Sequence, residues 1–199
     1  VGAPSLSDAI TANAKIHKKL KEILMKMDSS FTGGKGDEGA WAPNVTNNQA
    51  LEALSIVCQE VTTELGFDCK PGLDVAASSL WEPKKKNYIH TRDDINRDPG
   101  EQIDYILDLI SKYKLVYVED PVHEDDYQGF KELTHKSNEC LICGDDLFVT
   151  NVKRLNHGIK LHAGNAIIIK MNQVGTLTET WDTTRLALEN GYVPVVSHR

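Results

Sequence analysis

Charged side chains stand at or just past the ends of several apolar segments, where a folded chain could bring them together. In LVYVEDP (115–121), residues suited to a buried strand lead directly into two acids and a proline. Burying a carboxylate in such a place costs free energy unless it has a partner. The same pattern, an apolar segment ending in a charged or titratable group, recurs along the chain at Asp74, Glu119, Asp145, Lys170 and His198.

The intervals between these residues indicate that successive strands carry them. From Glu119 onward they follow one another at intervals of 25 to 28 residues, which suits one strand and one helix each. Successive parallel strands would deliver the side chains to the same rim, which is the active-site face of a (β/α) barrel. A single charged residue at a strand end is most simply a solvated cap. Five in phase favour a functional site.

Three of these residues are carboxylates, and they indicate a metal. Asp74, Glu119 and Asp145 offer oxygen ligands only, which suit a hard divalent cation such as Mg²⁺. Three carboxylates held close together would repel one another unless a cation neutralised them. Asp120 and Asp146, each directly after a proposed ligand, are expected to cap the strand or to support the ligand.

Lys170 is the reactive candidate among the five. It is flanked by Ile169 and Met171. Beside a divalent cation, we expect its pKa to fall from about 10.4 towards neutrality. A neutral lysine next to a Lewis-acidic metal can remove a proton from the carbon α to a carboxylate.

The elements that would position these residues alternate between helices and strands. The apolar segments do not alternate with polar residues, which is typical of parallel strands covered on both faces. Strand and helix repeat without a GxGxxG turn, which favours part of a (β/α) barrel over a dinucleotide-binding sheet. We predict helices over 5–27, 47–65, 98–113, 125–136, 151–162 and 176–190, and strands over 71–78, 115–121, 139–147, 166–173 and 193–199.

Composition narrows the function further. The net charge of −7 argues against a nucleic-acid partner, which would need a basic surface. No apolar run approaches the roughly 20 residues that cross a bilayer, and no signal peptide is recognisable. The four cysteines suit a reducing cytoplasm, and Cys140 and Cys143 lack the second ligand pair of a zinc site. The chain begins without Met and stops after a strand pattern, so we expect an excerpt from a longer protein.

Six segments together resemble the enolases, the phosphopyruvate hydratases of glycolysis. The resemblance extends over essentially the whole chain in the family's order and spacing, and it implies an α/β fold. It implies a partial TIM-type (β/α) barrel over residues 1–199, like the enolase C-terminal domain but truncated at both ends. The family's N-terminal α+β domain and the end of the barrel would be absent. The segments are KGDEGAWAPNV (35–45), PGLDVAASSLW (71–81), VYVEDPVHEDD (116–126), CGDDLFVTNVKRL (143–155), IIIKMNQVGTLTET (167–180) and VVSHR (195–199).

The resemblance implies roles at the strand ends. Asp74, Glu119 and Asp145 are similar to the three protein ligands of the tightly held Mg²⁺. Lys170 is similar to the base that takes the C2 proton of 2-phosphoglycerate, with Mg²⁺ stabilising the enediolate. Lys170, Glu119 and Asp145 would thus also adjoin the substrate.

The resemblance also implies roles for residues further along the chain. Glu38, in the GDEG loop, is similar to the catalytic carboxylate that acts at the C3 hydroxyl as it leaves. His198 would contact the substrate near its phosphate and C3 end, as a catalytic residue, and Arg199 would bind the phosphate. The whole protein would be a cytoplasmic homo-oligomer, a dimer or larger, that interconverts 2-phosphoglycerate and phosphoenolpyruvate without membrane or nucleic-acid partners. The excerpt alone would be inactive.

Two alternatives remain open from the sequence. A different member of the superfamily, such as a racemase or cycloisomerase, would keep three acidic ligands at strand ends and act on another carboxylate. It would not need the GDEG loop or the SHR end, both of which are present. A non-catalytic scaffold or binding fragment would carry the acids as simple caps. Its thermal stability would not depend on Mg²⁺.

Overall fold

The computed structural model describes residues 2–137 and 139–198, so Arg199 lies outside the described residues. The chain divides into two compact units, one ending at Pro71 and the other beginning at Gly72. The units are described separately below. That residues 1–199 form one partial barrel domain stays a prediction.

The first unit consists of two helices, α1 (Leu6–Met27) and α2 (Asn47–Leu65), joined by a glycine-rich loop. The side chain of Ser5 caps α1, and Thr46 and Gln49 form a capping box at the start of α2. Both helices were predicted within one residue of these bounds, because their caps and apolar periodicity are clear. Their facing sides pack through buried side chains that include Ala12, Val57 and Val61.

The second unit contains the remaining strands and helices. The strands are β1 (Gly72–Asp74), β2 (Trp81–Glu82), β3 (Asn87–His90), β4 (Ile95–Arg97), β5 (Tyr117–Glu119), β6 (Leu141–Gly144), β7 (Ala166–Ile169) and β8 (Val193–Val196). The helices are α3 (Pro99–Tyr113), α4 (Tyr127–Lys136), α5 (Val152–Leu161), α6 (Met171–Val174) and α7 (Leu177–Glu189).

A five-stranded parallel sheet organises the second unit. Its strand order is β1-β5-β6-β7-β8, and neighbouring strands pair in parallel. Each strand from β6 on pairs with the strand directly before it in the chain, with at least one helix between them. In the described part of the chain the sheet is open, with β1 and β8 at its edges. The predicted α/β fold with a parallel sheet is thereby confirmed, as part of a barrel.

The parallel strands are shorter than predicted, because the chain turns directly after the charged residues. The expected strand over 71–78 ends at Asp74, whose carboxylate accepts the N–H of Ala76 at 3.0 Å. A short 3₁₀ helix, Ala77–Leu80, follows. Likewise β7 ends at Ile169, and α6 begins two residues later.

One sheet was not predicted. Strands β2, β3 and β4 form a three-stranded antiparallel sheet between β1 and α3. Each strand has only two to four residues, too few for an alternating pattern to be recognised.

The core of the second unit surrounds the parallel sheet. Fully buried side chains include Val118 of β5, Ile142 of β6 and Ile167 of β7. The four cysteines are free thiols, and Cys140 and Cys143 are buried, as expected. No helix in residues 2–137 or 139–198 combines the length and hydropathy that crossing a bilayer requires.

Candidate active site

The carboxyl edge of the parallel sheet carries the charged residues singled out from the sequence. Asp74 is the last residue of β1 and lies in register with Glu119, the last residue of β5. Asp145 directly follows β6, and Lys170 directly follows β7. The short connection after each strand therefore leaves four titratable side chains at adjacent positions along one edge.

Three carboxylates cluster closely at this edge. Glu119, Asp120 and Asp145 each present an oxygen, and these oxygens lie within 4.8 Å of one another. Asp74 is beside this cluster, paired in register with Glu119. The donors are oxygen atoms of carboxylates, the ligand type that Mg²⁺ prefers, so the residues present fit a hard divalent cation.

The electrostatics of Glu119 indicate an excess of negative charge. Burial raises the pKa of the Glu119 carboxyl, and the nearby charges of Asp74 and Asp145 raise it further. A hydrogen bond from the Tyr117 hydroxyl to Glu119 Oε2 and the charge of Lys170 act in the opposite direction and lower this pKa. A cation placed among these carboxylates would relieve their repulsion.

Both carboxylate oxygens of Asp145 have partners. Lys170 Nζ forms an ion pair with Asp145 Oδ2, and the two side chains are only 14% and 12% exposed. The side-chain amide of Gln173 donates to Asp145 Oδ1 at 2.6 Å. The reactive candidate Lys170 is thus held directly against one of the proposed metal ligands.

Asp120 connects the ends of two neighbouring strands. Its carboxylate is almost fully buried and accepts the backbone N–H groups of Asp145 at 3.0 Å and Asp146 at 2.9 Å. Its own N–H donates to the carbonyl of Cys143 at 3.0 Å. Burial, only partly offset by these hydrogen bonds, raises the pKa of Asp120 to about 7. These contacts fit the supporting role expected for Asp120 from the sequence.

Left-handed backbone conformations concentrate at the same edge. Four non-glycine residues just past β1, β5 and β6 have φ between 41° and 50°. For L-residues this region costs roughly 1–2 kcal/mol each, and β-branched residues rarely adopt it. Strain of this kind often occurs at functional sites, where the surrounding contacts maintain it. The four residues are Ala76, Asp120, Val149 and Thr150.

Three further site residues were predicted from the sequence. His198 is exposed and lies two residues beyond β8. Arg199 is outside the described residues. Glu38 is exposed in the loop of the first unit.

The Glu38 loop has a defined conformation within the first unit. Gly36 N–H donates to the carbonyl of Ala40 at 2.9 Å, which closes a tight turn around Glu38. The ring of Trp41 stacks on His17 of α1 with centroids 4.3 Å apart, and its Nε1 donates to the carbonyl of His17 at 2.7 Å. The loop is therefore fixed to α1 beside Glu38.

Three residues around the carboxylates were missed from the sequence. Tyr117 lies two residues before Glu119, so the period of a strand places both side chains on the same face and could have identified it. Gln173 falls within the predicted strand 166–173, but it belongs to α6 and turns back towards Asp145. Thr150 contacts the backbone of Lys170 only through a left-handed turn, which no local sequence pattern predicts.

Comparisons with known proteins identify the family of the chain. The family model described as enolase, C-terminal TIM barrel domain, matches residues 1–199. A protein named enolase from Methanosphaera stadtmanae is 56% identical over the whole chain, which covers 48% of that protein. Enolases from Methanothermobacter thermautotrophicus and Natronomonas pharaonis are 52% and 49% identical over the whole chain, covering 48% and 49% of those proteins.

The chain therefore spans about half the length of the curated relatives it matches. The matched range, residues 1–199, includes the positions of the charged strand ends. A match of this extent, together with the parallel sheet and its carboxylate edge, establishes the family. The chain belongs to the enolase family, in which it matches the C-terminal TIM barrel domain.

Proposed function

We propose that the protein containing this chain is a phosphopyruvate hydratase, which reversibly dehydrates 2-phosphoglycerate to phosphoenolpyruvate with Mg²⁺ as cofactor. The observation that carries the proposal is the contact between Lys170 and Asp145 at the carboxylate edge of the sheet. Lys170 is held there next to a site suited to a divalent cation, and such a combination can remove a proton α to a carboxylate.

In this proposal Asp74, Glu119 and Asp145 hold Mg²⁺. When bound, the ion supplies positive charge that stabilises the negative charge developing on the substrate carboxylate. The carboxylate of Asp120 accepts the backbone N–H groups of Asp145 and Asp146. These contacts support a bracing role for Asp120, and Asp74 is the third ligand in this proposal.

Lys170 acts as the base in this proposal. Its neutral amine takes the proton from C2 of 2-phosphoglycerate and becomes an ammonium. Lys170 directly follows β7, and its side chain is only 14% exposed. The ion pair with Asp145 would stabilise the ammonium after proton transfer.

Residues outside the carboxylate cluster complete the reaction in this proposal. Glu38 acts at the C3 hydroxyl as it leaves, so that C2 and C3 become doubly bonded and one molecule of water is released. His198 contacts the phosphate and C3 end of the substrate. Arg199 binds the phosphate, since its planar guanidinium matches that anion.

We also propose that the chain is part of a longer protein and is inactive alone. The chain covers about half the length of its relatives, and the name enolase belongs to those full-length proteins. This coverage supports the proposal. A cytoplasmic location is supported by four free cysteine thiols, and assembly as a homo-oligomer rests on family membership.

The test is turnover of 2-phosphoglycerate by the full-length protein, followed through the ultraviolet absorbance of the enol product. We expect turnover that requires Mg²⁺ and is abolished by a chelator. Glu119→Gln should weaken Mg²⁺ binding by about 10- to 100-fold or more, because it removes a charged ligand. Turnover by the isolated 199-residue chain would disprove its proposed inactivity.

The same measurements separate the alternatives. A protein that binds Mg²⁺ but turns over a sugar acid in place of 2-phosphoglycerate would be another member of the superfamily. A melting temperature that stays constant across a Mg²⁺ titration would favour a scaffold, since a ligand that binds the folded state raises it. Unchanged Mg²⁺ affinity in Glu119→Gln would refute the assignment of that ligand.

A further inference from the structure

Thr150 combines complete burial with a strained backbone. Its side chain is 0% exposed, and its φ of 50° lies in the left-handed region. Val149, directly before it, is also left-handed at 43°. Two consecutive β-branched residues in this region form an unusual turn, which persists only when other contacts compensate for the strain.

The hydroxyl of Thr150 supplies such contacts at the end of β7. Its oxygen accepts the backbone N–H of Lys170 at 2.9 Å. As a donor, the hydroxyl oxygen has two acceptors within reach, Gln173 Oε1 at 2.7 Å and the carbonyl of Ile168 at 3.1 Å. The hydroxyl of Thr150 therefore connects the loop after β6 with Lys170, the candidate base.

A second branch leads from Thr150 to the metal ligand. Gln173 accepts from Thr150 with its amide oxygen and donates to Asp145 Oδ1 with its amide nitrogen. Because the amide oxygen has this donor, the NH₂ group is oriented towards Asp145. Thr150 thus reaches both Lys170 and Asp145 within two hydrogen bonds.

Thr150 is in turn attached to the outer helix α7. The hydroxyl of Thr183, which is also completely buried, donates to the backbone carbonyl of Thr150 at 3.0 Å and lies 2.8 Å from the carbonyl of Glu179. The contact holds the backbone of the strained turn, whereas the Thr150 hydroxyl holds its side chain. The turn is therefore restrained by both a strand end and a helix.

We propose that Thr150 is a positioning residue, whose hydroxyl sets the places of both Lys170 and Asp145. The inference rests on the proposed function for the roles of those two residues. Thr150 does not touch substrate or metal in this scheme. It acts through the Lys170 backbone and through the Gln173 amide.

The test replaces the hydroxyl in the full-length protein without changing the shape of the side chain. Thr150→Val keeps the β-branch and removes the hydrogen bonds of the hydroxyl with Lys170, Gln173 and Ile168. We expect Mg²⁺ affinity, measured by calorimetry, and kcat for 2-phosphoglycerate each to fall about 10- to 100-fold, since outer partners of metal ligands have effects of this size. KM should change by less than about threefold, because the substrate contacts remain. Thr150→Ser should restore both quantities to a large extent.

A matched control is available at the other end of the same strand. Thr134 of α4 also donates to a backbone carbonyl, that of Phe130 at 2.7 Å, and accepts a backbone N–H, that of Gly164 at 2.9 Å. Gly164 precedes β7, whereas Lys170 follows it. Thr134→Val should therefore lower the melting temperature without changing Mg²⁺ affinity or kcat.

The outcomes are distinct. If Thr150→Val lowers the melting temperature as Thr134→Val does, but keeps Mg²⁺ affinity and kcat within twofold of wild type, Thr150 is only structural and the inference is overturned. If circular dichroism shows that Thr150→Val does not fold, Gln173→Leu tests the branch to Asp145, and wild-type Mg²⁺ affinity in that variant overturns it. A wild type that binds Mg²⁺ but does not dehydrate 2-phosphoglycerate refutes the proposed reaction alone, because the affinity comparison still decides the role of Thr150.

Discussion

The second unit buries two polar clusters, and they differ in charge. At the carboxyl edge of the parallel sheet, Glu119 and Asp145 surround Lys170 with further carboxylates beside them. In the second cluster, His90 of β3 donates to the amide oxygen of Gln102 at 2.9 Å, and the amide nitrogen of Gln102 donates to the carbonyl of Pro121 at 3.0 Å. Both clusters are hydrogen-bonded, as buried polar groups generally are.

The two clusters differ in the electrostatic interactions that remain once their hydrogen bonds are formed. Burial lowers the pKa of His90, so this pair is neutral and its contacts satisfy it. Burial and the neighbouring carboxylates of Asp74 and Asp145 raise the pKa of Glu119, because a further negative charge there is unfavourable unless a cation balances it. A buried neutral hydrogen-bonded pair alone therefore indicates structure, whereas several carboxylates held together at a sheet edge indicate binding or chemistry.

The largest effect is expected from removing the proposed base, Lys170. Lys170→Ala in the full-length protein should lower kcat for 2-phosphoglycerate by about 10²- to 10⁴-fold, the usual contribution of a general base. Steady-state kinetics at saturating Mg²⁺ measures it. Lys136→Ala is the matched control, because Lys136 also pairs with a carboxylate, that of Glu132 at 2.7 Å, but on the exposed face of α4. A kcat that falls equally in both variants would contradict the assignment of Lys170.

The neutral cluster should respond in stability and not in function. Gln102→Leu removes the partner of His90 and of the Pro121 carbonyl, and leaving buried polar groups unpaired costs about 1–3 kcal/mol in the free energy of unfolding. Urea denaturation measures this loss. Mg²⁺ affinity should stay within twofold of wild type. A Gln102→Leu variant that kept its stability but bound Mg²⁺ more weakly would contradict the structural role of the neutral cluster. That cluster would then support the metal site.

The smallest expected effect is a pH dependence of the free energy of unfolding from His90. Because burial holds its pKa below the ordinary value near 6.5, the unfolded state takes up the proton first as the pH falls. His90 therefore lowers stability below about pH 6.5, by at most about 1.4 kcal/mol per pH unit. Urea denaturation between pH 7.5 and 5.5 should show a smaller decrease in His90→Phe than in wild type. An equal or larger decrease in the variant would contradict burial of neutral His90.

The sequence predicted the positions of the charged strand ends, because each follows a recognisable apolar run. Lys170 follows the apolar run AIII, and in the structure it directly follows β7, although the predicted strand over 166–173 continued past it. The partners of these residues were not predictable in the same way. Gln173 reaches Asp145 only because the chain turns into α6, and Thr150 reaches Lys170 only through two left-handed residues. Contacts formed by irregular turns leave no periodic signal.

The fold shows the same limit. The parallel sheet was predictable because its strands are buried and separated by capped helices, as at Asp98 and Pro99 before α3. The small antiparallel sheet was missed because its strands are very short and the Lys84–Lys86 run lies between two of them. The small sheet places His90 against Gln102 of α3, and no local sequence pattern predicts this tertiary contact.

The left-handed turn at Val149 and Thr150 has a consequence for protein engineering. A glycine or asparagine at Val149 would accommodate its φ of 43° with less strain, so a screen for thermostability alone would favour such replacements. The same replacements would free the chain beside Lys170 to adopt other conformations. Selection for heat resistance and selection for turnover would thus favour different residues in this dipeptide.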